Sequence, residues 1–405
     1  VKLFFMSTFR VDNPSELIFA DFQKNVEASE KGFSMLLKEV INCATKDWRD
    51  FVRGELSKGG GVLYKYISKE EKAYLNVDIS KFCVSNFSPS EVLNQQAKNW
   101  SKLWAPPDPD LKQCCADSLY AFHMFAATFT GAYQYTVDMF RSGLKGYRRE
   151  SPGVDIWRAS ELKALPDSCL TLIARVIEIS VNALPWPHQF HLFLNPCLGK
   201  KEGLRTIGLS PTIYAVWNRS QQETRNWELA NIAEHDTCKS GSSALFAAII
   251  RNVDAEIAKW LGWYAGSIFN EFKIFFDSMN INILLEETIH TKYPPIEMCM
   301  AIQQHMAPRV IKIQQFVGQP IEVYNSIIAG CKQSVPMTRV YFLRGMPEVN
   351  KPGPKPDEVV GKSRLYVDDC AQSAKDPIAS RFYNKLGNSF MKFNKLRLRL
   401  KLGLS

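Results

Sequence analysis

Two carboxylates stand side by side in Tyr366-Val367-Asp368-Asp369, directly after the apolar run Leu365-Tyr366-Val367. Strand-like residues resume at Cys370-Ala371-Gln372-Ser373-Ala374. The segment predicts a hairpin with both Asp at its turn, a position that Asp favours. Adjacent carboxylates repel each other unless a cation neutralises them, so the chemistry on offer is a divalent-metal site. A plain solvated Asp-Asp turn looks the same over four residues, and so short a motif needs support from the rest of the chain.

Two other constellations offer less. His188, His191 and Cys197 supply two imidazoles and a thiolate at loose spacing. No clear fourth zinc ligand accompanies them, which favours a structural role. His235-Asp236 lies near Ser240, Ser242 and Ser243, the residue types of a hydrolase. No strained nucleophile turn frames those Ser, and Glu234-His235-Asp236 suits a solvated helix end.

The elements that must position such residues are mixed. Residues 1–150 read as mostly helical, with Phe33, Leu36, Leu37, Val40 and Ile41 on one side of a helix predicted over 22–56. Gly59-Gly60-Gly61 breaks it as a loop. A second helix starts near Ser88-Pro89 and ends at Pro106-Pro107-Asp108-Pro109, and 118–140 reads as an apolar helical region whose aromatics form core. Ser151-Pro152-Gly153 marks a boundary, and a helix follows over 170–184. His191-Leu192-Phe193-Leu194 and 204–209 read as strands around the basic turn Lys200-Lys201. Lys395-Leu396-Arg397-Leu398-Arg399-Leu400-Lys401-Leu402 alternates strictly, which predicts a half-buried strand with a basic outer face.

Composition narrows the class. The 405 residues are enough for two or three domains, and 46% hydrophobic with 22% charged residues is the mixture of a globular chain. A net charge of +9 mildly favours an acidic partner such as nucleic acid. No run has the apolar length of a membrane helix, so no membrane partner is expected. The start, Val1-Lys2-Leu3-Phe4-Phe5, lacks a signal-peptide pattern, and the ten Cys include no Cys-x-x-Cys pair. Both point to an intracellular protein, nuclear or cytoplasmic, with reduced thiols.

Several segments, taken in order, resemble the reverse transcriptases of non-LTR retrotransposons. Pro152-Gly153-Val154-Asp155-Ile156-Trp157, with Glu161-Leu162-Lys163-Ala164-Leu165-Pro166, is similar to the stretch before the fingers. Residues 200–214, a basic turn followed by Leu204-Arg205-Thr206-Ile207, resemble the fingers hairpin. Glu271-Phe272-Lys273-Ile274-Phe275-Phe276-Asp277 resembles the first palm motif, Ile328-Ala329-Gly330-Cys331-Lys332-Gln333-Ser334 the glycine-and-serine palm motif, and Tyr366-Val367-Asp368-Asp369 the catalytic hairpin. Lys401-Leu402-Gly403-Leu404-Ser405 looks like the start of the next palm motif.

The resemblance covers roughly residues 150–405. It implies an α+β fold with the fingers and palm of a right-hand polymerase, a mostly helical N-terminal region and no thumb within these residues. The domains would be 1–150, 151–266 for the fingers and connecting helices, and 267–405 for the palm. The implied activity is RNA-directed DNA polymerisation on an RNA template and DNA primer, with deoxynucleoside triphosphates. Two divalent ions, Mg2+ (or Mn2+), roughly 4 Å apart, would clamp the attacking and leaving oxygens. Glu271, Asp368 and Asp369 would be the catalytic carboxylates and metal ligands. Lys201 and Arg205 would neutralise the triphosphate, Gly330 would admit close approach of nucleotide or template, and Phe276 would be the aromatic gate against the ribose 2′-hydroxyl. Phe276 could equally serve the core.

The pattern also departs from the family. Glu271 stands where the family carries Asp. Its extra methylene moves the carboxylate oxygens by more than about 1 Å, which implies a loss on the order of a hundredfold or more in rate. Asp277 matches a later Asp and is no obvious replacement. Ala329 replaces the usual Gln, the Ser-Pro pair appears as Ser334-Val335-Pro336, and Cys197 replaces a basic residue. These departures imply an impaired or lost activity. They keep open a catalytically inactive, nucleic-acid-binding remnant.

Overall fold

The computed structural model describes residues 89–403 except 132, 200–203, 240–241 and 314–315, together with Met35, Asn42, Lys46, Asp47 and residues 49–54. The expectations for Lys201 and Ser240, and most of the helix predicted over 22–56, lie outside the described residues. By contact the chain divides into Val1–Lys69 and Glu70–Ser405. In the first unit every described residue is helical. Residues 89–150 belong to the second unit.

Element labels begin at Pro89. Helix α1 (Pro89–Trp104) buries Val92, Leu93 and Trp104 along one side. The proline-rich break then starts the next helix as well as ending this one. The Asp108 carboxylate accepts from the Asp110 and Leu111 amides, and Pro109 fills the first turn of α2 (Pro109–Ala127). Residues 118–140 do not form one helical region. The chain leaves α2 at Ala127 and restarts at α3 (Val137–Leu144), where the Thr136 hydroxyl accepts from the Met139 amide at 3.2 Å. Helices α4 (Ala159–Ala164) and α5 (Asp167–Ala183) follow.

Strands β1 (Phe193–Gly199) and β2 (Leu204–Thr206) form an antiparallel pair. Helices α6 (Thr212–Ser220), α7 (Gln222–Ala230) and α8 (Ala244–Trp260) lead to β3 (Tyr264–Glu271). After α9 (Phe275–Ser278), α10 (Ile281–His290) and α11 (Pro295–His305) come β4 (Arg309–Ile313) and β5 (Phe316–Ile321). The chain ends through α12 (Ser334–Leu343), α13 (Gly345–Asn350), β6 (Lys362–Tyr366), β7 (Asp369–Asp376) and α14 (Ala379–Arg399). The fold is mixed α+β with two small sheets, ordered β2-β1-β4-β5 and β3-β7-β6.

The sheets are built differently. In the first, β1 and β4 run parallel and bury Ile311, Ile313 and Cys197 against Val92, Leu93 and Trp104 of α1. The second is wholly antiparallel. Its strands follow the period of two: on one face Asn270 and Cys370 are buried, while on the other Glu271, Phe269 and Asp369 are exposed. A larger core, with Trp186 edge-on to the stacked Tyr214 and Trp217 rings, fills the space between α3, α5, α6 and α11.

The alternating C-terminal run is a helix, not a strand. Phe382, Ser389, Phe393, Leu396 and Leu400 are buried at helical spacing, and Leu398 is exposed. Alternation over eight residues also satisfies a four-residue repeat, so Leu396 and Leu400 stack on one helical face whatever lies between.

Candidate active site

The hairpin forms where the Asp pair predicts it, with one refinement. Tyr366 and Asp369 are register partners, which leaves Val367 and Asp368 as the two-residue loop. Val367 is left-handed, with φ of 58°, the first-position requirement of a type II′ hairpin turn. A β-branched residue there is strained by on the order of 1–3 kcal/mol. Asp369 is therefore the first residue of β7 rather than part of the turn.

Sheet pairing supplies the third carboxylate. Strand β3 runs antiparallel to β7 and places Glu271 directly opposite Asp369. Directly opposed residues share a face, with Cβ atoms roughly 5 Å apart. The Phe272 amide donates to the Asp368 carbonyl at 3.1 Å, and the Lys273 amide to the Gly403 carbonyl at 3.0 Å. The end of the chain is thus tied to the residues that follow Glu271. Desolvation pushes the Asp369 carboxyl above its ordinary range, Asp368 and Glu271 push it further, and Arg251 opposes them.

Glu271 and Asp369 line a cleft of about 480 Å³ with Arg251, Phe269, Arg364 and Tyr366. Arg251 reaches it from α8, with its guanidinium 4.8 Å from the Phe269 ring centre. Helix α8 turns Ala247 and Arg251 toward this face and leaves Phe246, Ile249, Ile250, Val253 and Ile257 exposed. Next to it, a space of about 290 Å³ is lined by Arg251, Lys362, Arg364, Lys375 and Lys385, with Asp254 bonded to Lys375 at 2.8 Å. The carboxylate end thus opens onto a cationic sheet face. Reading the sequence did not find Arg251 or Arg364. The alternation of β6 carries a signal for Arg364, since Lys362, Arg364 and Tyr366 must share a face once the hairpin register is set.

The donor chemistry fits a divalent cation. Glu271 and Asp369 share a face beside the Asp368 loop, and desolvation, followed by the Asp368 and Glu271 charges, disfavours the charge on Asp369. Side-chain placement is less complete: among the described residues no group of three or more His, Cys, Asp or Glu is set to hold a metal ion. Backbone pairing gathers Glu271 and Asp369, and Asp368 lies in the adjoining loop.

The other expected residues lie elsewhere. Arg205 is exposed on β2, opposite Leu198 in the first sheet, and is not among the residues lining the carboxylate cleft. Phe276 packs against the main core with its ring 5.2 Å from Phe275. Asp277 is committed to structure: its Oδ1 accepts from Trp104 Nε1 at 2.7 Å and lies 3.5 Å from Arg309 Nη1. Gly330 has φ of 93° and lines a separate cleft of about 320 Å³ with Tyr147, Arg149, Arg219 and Lys332. Arg149 and Arg219 both stack on Tyr147 there, and desolvation, with Arg225 and Arg219 next, pushes the Lys332 ammonium down.

Two segments joined by the resemblance also meet in space. The Asp155 carboxylate accepts from the Ile213 amide at 3.0 Å, and the Thr212 hydroxyl donates to the Trp157 carbonyl at 2.6 Å. A Cβ on Gly153 would sit 2.2 Å from the Ser210 carbonyl oxygen, so only Gly permits this approach.

The hydrolase constellation does not assemble. His235 and Asp236 are buried rather than solvated, because their segment pairs with the outer edge of β6 through Leu365. Asp236 is bound by Arg339, and the Ser243 hydroxyl caps α8. The His188 and His191 rings lie 6.0 Å apart, and Cys197 is buried in the core beneath the first sheet, its thiol pushed up to about 12 by desolvation. No disulfide occurs among the described residues, and no described helix is long and apolar enough to cross a membrane.

No family model and no curated protein matches this chain. Among solved structures it is similar to one described as apo telomerase from Candida tropicalis truncated from the C-terminal domain. The identity is 14% and the TM-score 0.38, over 54% of this chain and 49% of that one. The chain spans about half of that telomerase, and so loose a likeness fixes no fold.

Proposed function

We propose that the second unit is a reverse-transcriptase-type polymerase module, with the β3–β7 carboxylates as its nucleotidyl-transfer site. The observation that carries this reading is the pairing of Glu271 with Asp369 across about a hundred residues of sequence, beside the Asp368 loop. The order of fingers-like and palm-like segments in the sequence supports it. So does the cationic face around Arg251 and Arg364, which suits a triphosphate or a nucleic-acid backbone.

In this reading Glu271 and Asp369, joined by Asp368, would hold Mg2+ or Mn2+. A bound divalent ion would supply Lewis-acid charge to the transferring phosphoryl group. Arg251 and Arg364 neutralise phosphate oxygens from the sheet face. Phe276, partly buried against the core, would be the aromatic gate against the ribose 2′-hydroxyl. Arg205 and Gly330 belong to the nucleotide and template contacts, with the cationic cleft around Gly330 as the observation behind the latter. The partners would be an RNA template, a DNA primer and deoxynucleoside triphosphates.

A specific pair of observations favours the remnant as a second reading. Glu occupies the first carboxylate position, and no described triad is set for a metal. Primer extension on an RNA template with Mg2+ or Mn2+ separates the two. Deoxynucleotide-dependent product is expected from the polymerase. A folded chain that retards RNA–DNA duplex in a gel and yields no product in either ion would leave the remnant standing.

A further inference from the structure

A second acidic site lies away from the polymerase-like cleft. Glu223, in the first turn of α7, and Glu297, in the first turn of α11, line one cleft of about 460 Å³. Its other walls include Phe129, Tyr133, Met139 and Ile296, with the amides of Gln221 and Gln222 beside them. None of the described residues lining it is basic, in a chain whose net charge is +9.

Glu297 is the informative residue. It is only 2% exposed, and its Oε2 is buried with no hydrogen-bond partner. A buried carboxylate normally has a cation or several donors around it, because leaving it unpaired costs far more than a surface acid. Burial pushes the Glu297 carboxyl up to about 8, and Glu223 adds to that push. The neighbouring phenols do not supply the missing charge. Tyr133 donates to Gln221 Oε1 at 3.1 Å, and Tyr293 donates to Gln333. The acids in these two first turns also favour their helix ends, but that role needs neither burial nor an empty cleft.

We propose that this cleft binds an alkylammonium group, with Glu297 and Glu223 as its counter-charges. A metal ion suits it less well, since two carboxylates and two amides among apolar walls make a poor hard-cation cage. A protonated amine on a methylene chain matches every wall. Its three donors meet the carboxylates and the Gln side-chain oxygens, its stem lies on Phe129, Met139 and Ile296, and the Tyr133 ring accepts cationic charge on its face. Nothing in this site depends on the polymerase reading.

Such an amine could be a free polyamine or a lysine side chain of a protein partner. Calorimetric titration of the full chain with spermidine, and separately with a tetralysine peptide, distinguishes these sources. Saturable binding is expected for at least one, accompanied by proton uptake into the buffer at pH 7 as Glu297 ionises. Glu297→Gln, which keeps the side-chain shape, should weaken it at least tenfold. Glu223→Gln, on an exposed side chain, should weaken it several-fold and serves if the first variant does not fold. Spermidine alone binding assigns a free polyamine, and the peptide alone a protein side chain. No saturable binding of either probe, or binding unchanged in the two variants, overturns the proposal.

Discussion

Asp277 follows the end of β3 in α9, Asp369 lies opposite that end across the sheet, and the fold treats the two in opposite ways. Asp277 is surrounded by partners: Trp104 Nε1 at 2.7 Å, Ser326 Oγ at 3.4 Å, and Arg309, which is itself 1% exposed and stacked on Trp104. Burial still raises its carboxyl, but each of those partners pulls it back. Asp369 is exposed, faces two more carboxylates and has Arg251 as its opposing charge. The first Asp joins α9 to α1 and β4. The second is held in place by the backbone, with its charge left available. A carboxylate that the fold positions without neutralising is what a cation-dependent site requires.

Asp277→Ala should cost about 3–5 kcal/mol in denaturant unfolding, because it strands Arg309 in the core. Asp369→Asn should stay within about 0.5 kcal/mol of the parent, as surface substitutions do. Equal losses from the two would contradict the division drawn between them. Glu297 sharpens the same point, as a buried acid with no such partner. Its folded-state value of about 8 lies above the ordinary 4.5, so the folded state binds the extra proton. Its contribution to stability should therefore be fully present below about pH 4.5 and be lost as pH rises toward 8. Glu297→Gln should flatten that part of the curve, read by unfolding at pH 5, 6.5 and 8.

Smaller effects concern the cleft. Glu271→Asp keeps the charge and withdraws the carboxylate by about 1 Å, toward the geometry of the resembling family. It should raise primer-extension rate by about tenfold, worth about 1.4 kcal/mol. A fall instead would mean that the site has adapted to Glu. Arg251→Ala should raise the KM for deoxynucleotide several-fold with little change in stability, since it removes a charge-assisted phosphate contact. Steady-state kinetics on the two proteins decides that.

Some of this was legible in the sequence. The period of two around Tyr366-Val367-Asp368-Asp369 predicts a hairpin, because that signal is local, whereas Asp108-Pro109 was read only as a helix end although it also starts the next helix. Pairing Glu271 with Asp369 was legible only through the resemblance, since no local pattern says which strand lies beside β7. Arg251 could not be found, because nothing in α8 announces that it crosses the sheet face. The C-terminal run misled because leucines four apart satisfy both a strand and a helix. His235 and Asp236 misled because an edge strand can bury a polar segment that looks solvated. The partners of Asp277 come from residues 104, 309 and 326, separations at which side-chain types alone carry no pairing information.

The proposed site requires that Glu271, Asp368 and Asp369 act together on a nucleotide. The most direct measurement is Mg2+-dependent primer extension on an RNA template by the parent chain, Asp368→Asn and Asp369→Asn, with folding checked for each. Deoxynucleotide incorporation is expected from the parent, with a loss of at least about a hundredfold in both variants and unfolding midpoints unchanged. Incorporation that survives either substitution would contradict it.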